Sequence, residues 1–425
     1  MPLGGTLEKL YSRRRFGIRP GVERVRLMLS RLGNPEQSFR SIHVVGTNGK
    51  GSTSAFLSSI LTASGLRTAL FTSPHLVSIT ERFRIDGREV SQQRLDPLLA
   101  AVLAAAPEEA TFFEIVTVLA ALYFSEEQVD LAVMEAGMGG RSDATAALSG
   151  IMTVISPISL DHCDYLGATL EMITAEKAGI VEPDTTVIIG RQPAEVQKII
   201  SDCLNGSNTQ MMWADADFSA CWNNDGTLEF RGIHTSLKGL TPGIPGRYQS
   251  ENAALALAAA EALNPLGIHL SERALRSGLS ATYWPGRMET IPGSPPLLLD
   301  GAHNHSGSLA LAEALAEYRY QKLLLVIGIM SDKDVGEIIS ALAPLAAKCY
   351  CVSPAIDRAM DDRKLAKIIS DSGMLAIACG SVASGILAAQ RDAESDDLIL
   401  VCGSLFTVGE AKAWLAGEVF DGIRG

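Results

Sequence analysis

Residues His43–Ser52 read HVVGTNGKGS, placing a lysine and a hydroxyl among three glycines. A glycine-rich turn that leaves a strand and opens a helix suits an anion. The helix N-terminus offers unpaired N–H groups and the positive end of a dipole. Lys50 adds a full charge, and Ser52 adds a hydroxyl that could reach a metal ion. The usual phosphate loop is spelled G-x-x-x-x-G-K-[ST]. Here Val44 stands five residues before Gly49, and Gly51 separates Lys50 from Ser52. The stretch therefore reads as a variant phosphate loop or as a tight turn with an exposed lysine. Ser73 of TSPHL follows the next strand, where a parallel sheet presents functional loops. Glu135 ends another strand in MEAGMGGRSDAT, and an acid beside a phosphate loop suits magnesium. His162, Asp164 and Lys177 cluster in the segment 158–180. Spacing alone also fits a structural histidine and a solvated lysine there. Thr111 and Glu114 of TFFE form a capping-box pattern that opens a helix.

The elements that must position these residues alternate. SIHVVG reads as a buried strand. Phe56, Leu57, Ile60 and Leu61 recur at helical spacing over Ser52–Ser64, and Gly65 suits the end of that helix. RTALFTSP, VDLAVMEAG and IMTVISPIS are further strands. The pattern predicts an α/β fold with a mainly parallel sheet covered on both faces. Around NNDG, residues 212–231 read as a hairpin, a small β excursion at the edge of the first domain. Rich in Pro and Gly, WPGRMETIPGSPP (284–296) reads as a linker. Beyond it, five strand candidates separated by four helical patterns indicate a second, smaller Rossmann-like α/β domain. The expected division is 1–288 and 289–425.

A chain of 425 residues is too long for one core. Its net charge of −12 argues against a general nucleic-acid binder. No apolar run reaches the about 18 residues of a membrane span. The basic N-terminal segment with Arg13–Arg15 is read as solvated or substrate-facing in preference to a transit peptide. The seven cysteines show no metal-ligand spacing, and they read as thiols of a reducing cytoplasm. Cys349 and Cys351 should share one face of a strand.

The ordered set GVERV, LGNP, GTNGKGS, TSPHL, TFFE, GMGGRSDAT, SLDH, EKAGI, PGRME, DGAHN, SDKD and GSLFTVGE resembles the folylpolyglutamate synthase and dihydrofolate synthase family, within the Mur ligase superfamily. The resemblance runs nearly end to end. It implies the family's variant phosphate loop, with ATP held by Asn48, Gly49, Lys50, Gly51 and Ser52. It also implies adenosine contacts from Asn252, Arg287 and Asp300. Two Mg2+ ions are implied, held by Ser52, Ser73 and Glu135 and by His162 and Lys177, with Lys177 carboxylated; a monovalent cation such as K+ is a further expectation. Arg19, Pro20, Gly21, Thr111, Phe112, Phe113, Glu114, Ser142, Asp143 and Ala144 match the pterin side. The family usually has leucine at Ser142 and DATN where this chain has DATA, so this pocket departs from the pattern.

The implied activity is an ATP-dependent amide ligase that adds L-glutamate to folates and also to dihydropteroate. An acyl phosphate would form first, with Lys50, His162, Lys177 and His303 taking part. Small-molecule substrates, a monomeric state and a cytoplasmic location are expected, with no nucleic-acid or membrane partner. The rival readings are a peptidoglycan-precursor ligase and a nucleotide-binding regulator without turnover. The 45 residues before Gly46 are too few for the nucleotide-sugar domain of the former.

Overall fold

The structure, a computed structural model, describes residues 5–13, 17 and 19–420. Of the basic segment Arg13–Arg15, only Arg13 lies among them.

The first sheet has eight strands. They are β1 (Arg40–Val45), β2 (Thr68–Phe71), β3 (Phe83–Ile85), β4 (Arg88–Glu89), β5 (Leu131–Glu135), β6 (Gly150–Ile155), β7 (Thr186–Ile189) and β8 (Gln210–Trp213). Their order is β4-β3-β2-β5-β1-β6-β7-β8. Six strands are parallel, and the β3–β4 hairpin adds an antiparallel edge. The apolar runs of β1 and β5 are buried because helices cover both faces. Lys50–Ala63 and the alanine-rich helix Gln249–Glu261 close one face, and Phe112–Glu126 closes the other.

From β1 the chain moves to β2 on one side, and it later returns to β6 on the other. β1 is thus the switch point where a crevice opens at the carboxyl ends of the strands. Val44 pairs with Glu135, and Val45 pairs with Ile155. Three loops therefore leave the sheet at one level.

The expected hairpin forms between β9 (Ser219–Trp222) and β10 (Leu228–Arg231). A third strand, β11 (Ser236–Leu240), joins it, and the alternation SLKGL was too short to announce this. The second sheet contains β12 (Glu289–Ile291), β13 (Leu297–Leu299), β14 (Leu323–Ile327), β15 (Lys348–Cys351), β16 (Ala376–Ala378) and β17 (Leu398–Cys402), in the order β12-β13-β17-β14-β15-β16. Five of these are the strands read from the sequence. β12 corrects the linker reading: residues 289–291 pair antiparallel with β13, although proline and glycine surround them. Cys349 and Cys351 face one apolar cluster and Tyr350 the other, as strand alternation requires. Among the described residues, no helix is long and apolar enough to cross a membrane.

The helix that starts at Lys50 is held by close backbone contact. Gly278, on the helix Glu272–Ala281, lies so near that an added Cβ would meet Ile60 Cα at 2.4 Å. Gly278→Val should therefore cost about 1–3 kcal/mol by overpacking. A gain of a few tenths from helix propensity, at roughly the scale of such differences, does not offset it. Urea unfolding followed by circular dichroism should show a lower midpoint with an unchanged slope.

Candidate active site

The turn after β1 needs two of its glycines for space as well as conformation. Gly46 has φ +146°, and a Cβ there would lie 2.1 Å from Ser156 Oγ. Gly49 has φ +85°, and a Cβ would lie 2.2 Å from Asn252 Oδ1. The turn is tied to the segment after β6: Thr47 N–H donates to Pro157 O at 2.9 Å, and Thr47 Oγ1 donates to Ser159 O at 3.0 Å. Lys50 opens the helix and donates to Thr47 O at 3.0 Å. Gln249 and Asn252 lie behind the loop. Gln249 Nε2 donates to Ser52 Oγ at 3.4 Å, and Thr53 Oγ1 donates to Asn252 Oδ1 at 3.4 Å.

Two buried groups of opposite charge type sit beside this turn. Glu135 accepts the Ser73 N–H at 3.0 Å, which brings the expected Ser73–Glu135 pair together. Burial pushes its pKa above the ordinary carboxylate value, while Lys50 and the Ser73 N–H pull it back. Lys177 donates to Gly46 O at 2.8 Å and to Met138 O at 2.6 Å. Burial, with Lys50 nearby, brings its pKa down to about 7.

A second cluster forms around Asp161, which the sequence reading passed over in favour of Asp164. Its Oδ1 pairs with Lys333 Nζ at 2.5 Å, across 172 residues of chain. Nε2 of His162 and Nε2 of His303 each lie 3.9 Å from its Oδ2. Burial would raise Asp161, but His162 and Lys333 outweigh this and hold it well below the usual carboxylate range. Burial lowers both histidines to about 4, so both rings are neutral at pH 7. His303 Nδ1 faces Gly301 O at 2.9 Å. Nδ1 is then the protonated nitrogen, and the lone pair sits on Nε2. Asn304 Nδ2 donates to Asn48 Oδ1 at 3.0 Å, which joins the phosphate loop to the second sheet. Asp300 is occupied by protein donors, Met288 N at 3.0 Å and Ala302 N at 2.9 Å, with Arg287 offsetting its burial.

The three segments expected to line a pterin pocket come together. Gly21 N–H donates to Ser142 O at 3.2 Å. The Thr111–Glu114 capping box is formed. Arg24, which sequence reading missed, grips both oxygens of Glu114 through Nε at 2.9 and 3.1 Å and holds Arg19 O through Nη2 at 2.9 Å. Asp143 accepts from Met138 N and from Thr145. Ser142 N–H donates to Glu176 at 2.7 Å. Phe112 is core, stacked on Tyr11 with centroids 6.1 Å apart, whereas Phe113 is half-buried against Gly137. Ala144 is buried, and Arg19 and Pro20 are exposed.

The donors near the loop fit a hard cation. Glu135 offers carboxylate oxygen, Ser52 and Ser73 offer hydroxyls, and His162 offers a neutral imidazole. Among the described residues, no three His, Cys, Asp or Glu side chains are placed to hold a metal ion by themselves. A Mg2+ ion held here would complete its shell with phosphate oxygens and water, as is usual for that ion. The whole arrangement can position phosphates, balance their charge and present a neutral base nearby.

Residues 44–260 match the Mur ligase middle domain, and residues 286–405 match the Mur ligase glutamate ligase domain. The dihydrofolate synthase/folylpolyglutamate synthase of Bacillus subtilis is 32% identical over 95% of this chain and 96% of its own length. A probable bifunctional folylpolyglutamate synthase/dihydropteroate synthase of Haloferax volcanii is 35% identical over 95% of this chain. The chain spans only 49% of that relative's length. The solved structure of E. coli FolC in complex with DHPP and ADP has a TM-score of 0.89 at 31% identity, covering 98% of this chain and 99% of that one. A bifunctional folylpolyglutamate synthase/dihydrofolate synthase with Mn, AMPPNP and L-glutamate bound has a TM-score of 0.87 at 32% identity, covering 97% of this chain and 98% of that one.

Lys50→Ala removes a charge from a half-exposed loop and no core volume. Phosphoryl chemistry should fall by at least about a hundredfold, as for other preorganised charge stabilisers, while the melting temperature stays within a degree or so of wild type. Steady-state ADP release and a thermal melt on the same sample check both halves.

Proposed function

The chain belongs to the dihydrofolate synthase/folylpolyglutamate synthase family of Mur ligases, and from that premise we propose that it joins L-glutamate to dihydropteroate and to reduced folates at the expense of ATP. The observation that carries this reading is the meeting of two half-sites. The phosphate loop with Glu135 and Ser73 comes from the first sheet, and His303, Asn304 and Lys333 come from the second.

Joining a carboxylate to an amine is uphill in water, so the carboxylate must be activated. The loop N–H groups and Lys50 hold the terminal phosphates of ATP. The substrate carboxylate attacks the γ-phosphorus, and ADP leaves with the bridging oxygen. The glutamate amine then attacks the acyl carbon of the acyl phosphate. Phosphate departs, and the lone pair of His303 Nε2 takes the amine's proton. Ser52, Ser73, Glu135 and His162 would hold Mg2+, which would supply charge neutralisation on the phosphates. Asp161 stays ionised beside Lys333 and faces both histidines. Closure of the cleft keeps water from the acyl phosphate. Because one chain supplies both half-sites, a monomer suffices. All seven cysteines are free, which fits a reducing cytoplasm.

Lys177 fits carboxylation. Its nitrogen is buried among carbonyls beside Lys50, where a lasting positive charge is disfavoured. Carbon dioxide adds to the neutral amine with loss of a proton. The carbamate nitrogen keeps one N–H for Gly46 O or Met138 O and gains two hard oxygen ligands.

Wild-type protein should release ADP only when dihydropteroate or a reduced folate, glutamate and Mg2+ are all present, with one amide formed per ADP. ADP release independent of the pterin acid would overturn the reading. In 13C-bicarbonate, NMR of the active enzyme should show one carbamate carbon that is absent from Lys177→Met. A spectrum without that signal from fully active wild-type enzyme rules the modification out.

A further inference from the structure

An open cleft of about 450 Å3 lies against the first turn of the phosphate-loop helix, lined by Gly51, Ser73, Glu135, Arg84, Trp284 and Arg287 among others. Gly51, Ser73 and Glu135 belong to the activation chemistry. Arg84 and Trp284 have had no part in it.

Arg84 sits on β3, in the antiparallel hairpin at the sheet edge. Its guanidinium is 5.3 Å from the centroid of the Trp284 ring. Its Nε donates to Glu81 O at 3.3 Å, and its Nη2 donates to Glu89 Oε1 at 2.9 Å. An aromatic face and two acceptors therefore fix the orientation of the group before any substrate arrives. Trp284 is itself placed tightly: a Cβ on Gly51 would lie 3.1 Å from its Nε1. The indole thus spans the distance between the phosphate loop and Arg84.

Two arginines line this wall, Arg84 and Arg287, and their carboxylate surroundings differ. The Glu81 carboxylate is consumed by the N–H groups of Leu76, Val77 and Ser78 at 2.7, 2.7 and 2.8 Å. Glu135 takes the Ser73 N–H, and Arg287 offsets the buried Asp300. The carboxylate partner of Arg84, Glu89, is 40% exposed at the rim, whereas the arginine side chain is 12% exposed. An ion pair whose acid stands exposed at the rim can exchange that acid for another carboxylate.

The two proposed acceptors differ by one carboxylate. Dihydropteroate carries one, and that is the group to be phosphorylated. A folate awaiting extension carries two on its terminal glutamate, one to be phosphorylated and one spare. Drawing the spare carboxylate into a half-enclosed cleft costs free energy unless a cation meets it. A guanidinium held over an aromatic ring, with Nη1 not engaged by Glu81 or Glu89, can meet it with charged hydrogen bonds.

We propose that Arg84, backed by Trp284, receives the spare carboxylate of a folate substrate and so sets how well the chain-extending reaction runs relative to the dihydropteroate reaction. The inference rests on the ligase reading above.

The test is the ratio of kcat/KM for a monoglutamylated tetrahydrofolate to kcat/KM for dihydropteroate, measured on full-length enzyme with saturating ATP, Mg2+ and glutamate. Arg84→Met should lower this ratio by about tenfold to a hundredfold, the range for loss of one charged hydrogen-bonded contact. The loss should lie mainly in the KM of the folate. Arg84→Lys keeps the charge without the fork and should recover part of it. If Arg84→Met does not fold, Arg84→Gln is measured on the same ratio. A ratio within about threefold of wild type, or equal losses for both acceptors, overturns the inference. Wild-type protein that uses neither acceptor overturns the ligase reading beneath it. Wild-type protein that uses dihydropteroate and no folate overturns the inference alone. If wild type uses folates alone, the comparison becomes folate KM against ATP KM, and parallel changes in the two overturn the proposal.

Discussion

Three parallel strands ending at one level is the constraint on which the site depends. β5, β1 and β6 are hydrogen-bonded neighbours, and their register sets Glu135 opposite Val44 and Ile155 opposite Val45. One residue beyond, the chain turns into the phosphate loop from β1 and into the Ser156–His162 segment from β6. A shift of one residue in the β5–β1 pairing would turn Glu135 to the other face of the sheet. The carboxylate would then lie in an apolar layer, and the Ser73 N–H would lose its acceptor. Local sequence makes each strand, and only the pairing of distant strands makes the site.

The same level ends collect charge that the protein does not fully neutralise. Glu135 is buried with its pKa raised, and Lys177 is buried with its pKa lowered. Neither shift arises from a close partner of opposite charge; burial is the leading cause of both. A fold selected for stability alone would replace such groups with apolar ones of similar volume. Their retention beside an anion-binding turn is understandable if substrate phosphate and a divalent cation complete the balance. Asp161 is the contrasting case. Its charge is matched by Lys333, which comes from the loop after β14 in the other sheet.

Most of the first half-site was legible because its signals are local. Glycines before a lysine, an acid at a strand end and a Thr–Glu capping box can each be read within a few residues. The five strands of the second sheet were legible for the same reason, as apolar runs between helical patterns. What escaped were contacts between distant residues that the motifs did not themselves single out. Arg24 meets Glu114 across 90 residues, and Lys333 meets Asp161 across 172. Both arginine and lysine look like ordinary surface charges in their own segments. β12 escaped because its neighbours are proline and glycine, and its antiparallel partner β13 is what makes it a strand. Phe112 was grouped with the pocket by its motif, yet helical geometry turns it into the core and leaves Phe113 at the boundary.

The division of the site between two sheets has a chemical consequence. An acyl phosphate is useful only while water is kept away from it, yet its substrates must enter from water. A site built on one rigid sheet would have to be permanently open or permanently closed. Here the glycine-rich turn and the loops that carry His303 and Lys333 belong to different sheets, and the contacts between these loops are polar, while Leu76 and Val77 of the first half pack into an apolar cluster of the second. Asn48 with Asn304 and Asp161 with Lys333 are hydrogen bonds and an ion pair, which exchange with water at small net cost. At the loops themselves, contacts that exchange with water leave bound substrates able to bias the arrangement. His303 Nε2 lies 3.9 Å from Asp161 Oδ2, so an imidazole of one half and an acid of the other meet at this junction, where both face the cleft that substrates must enter.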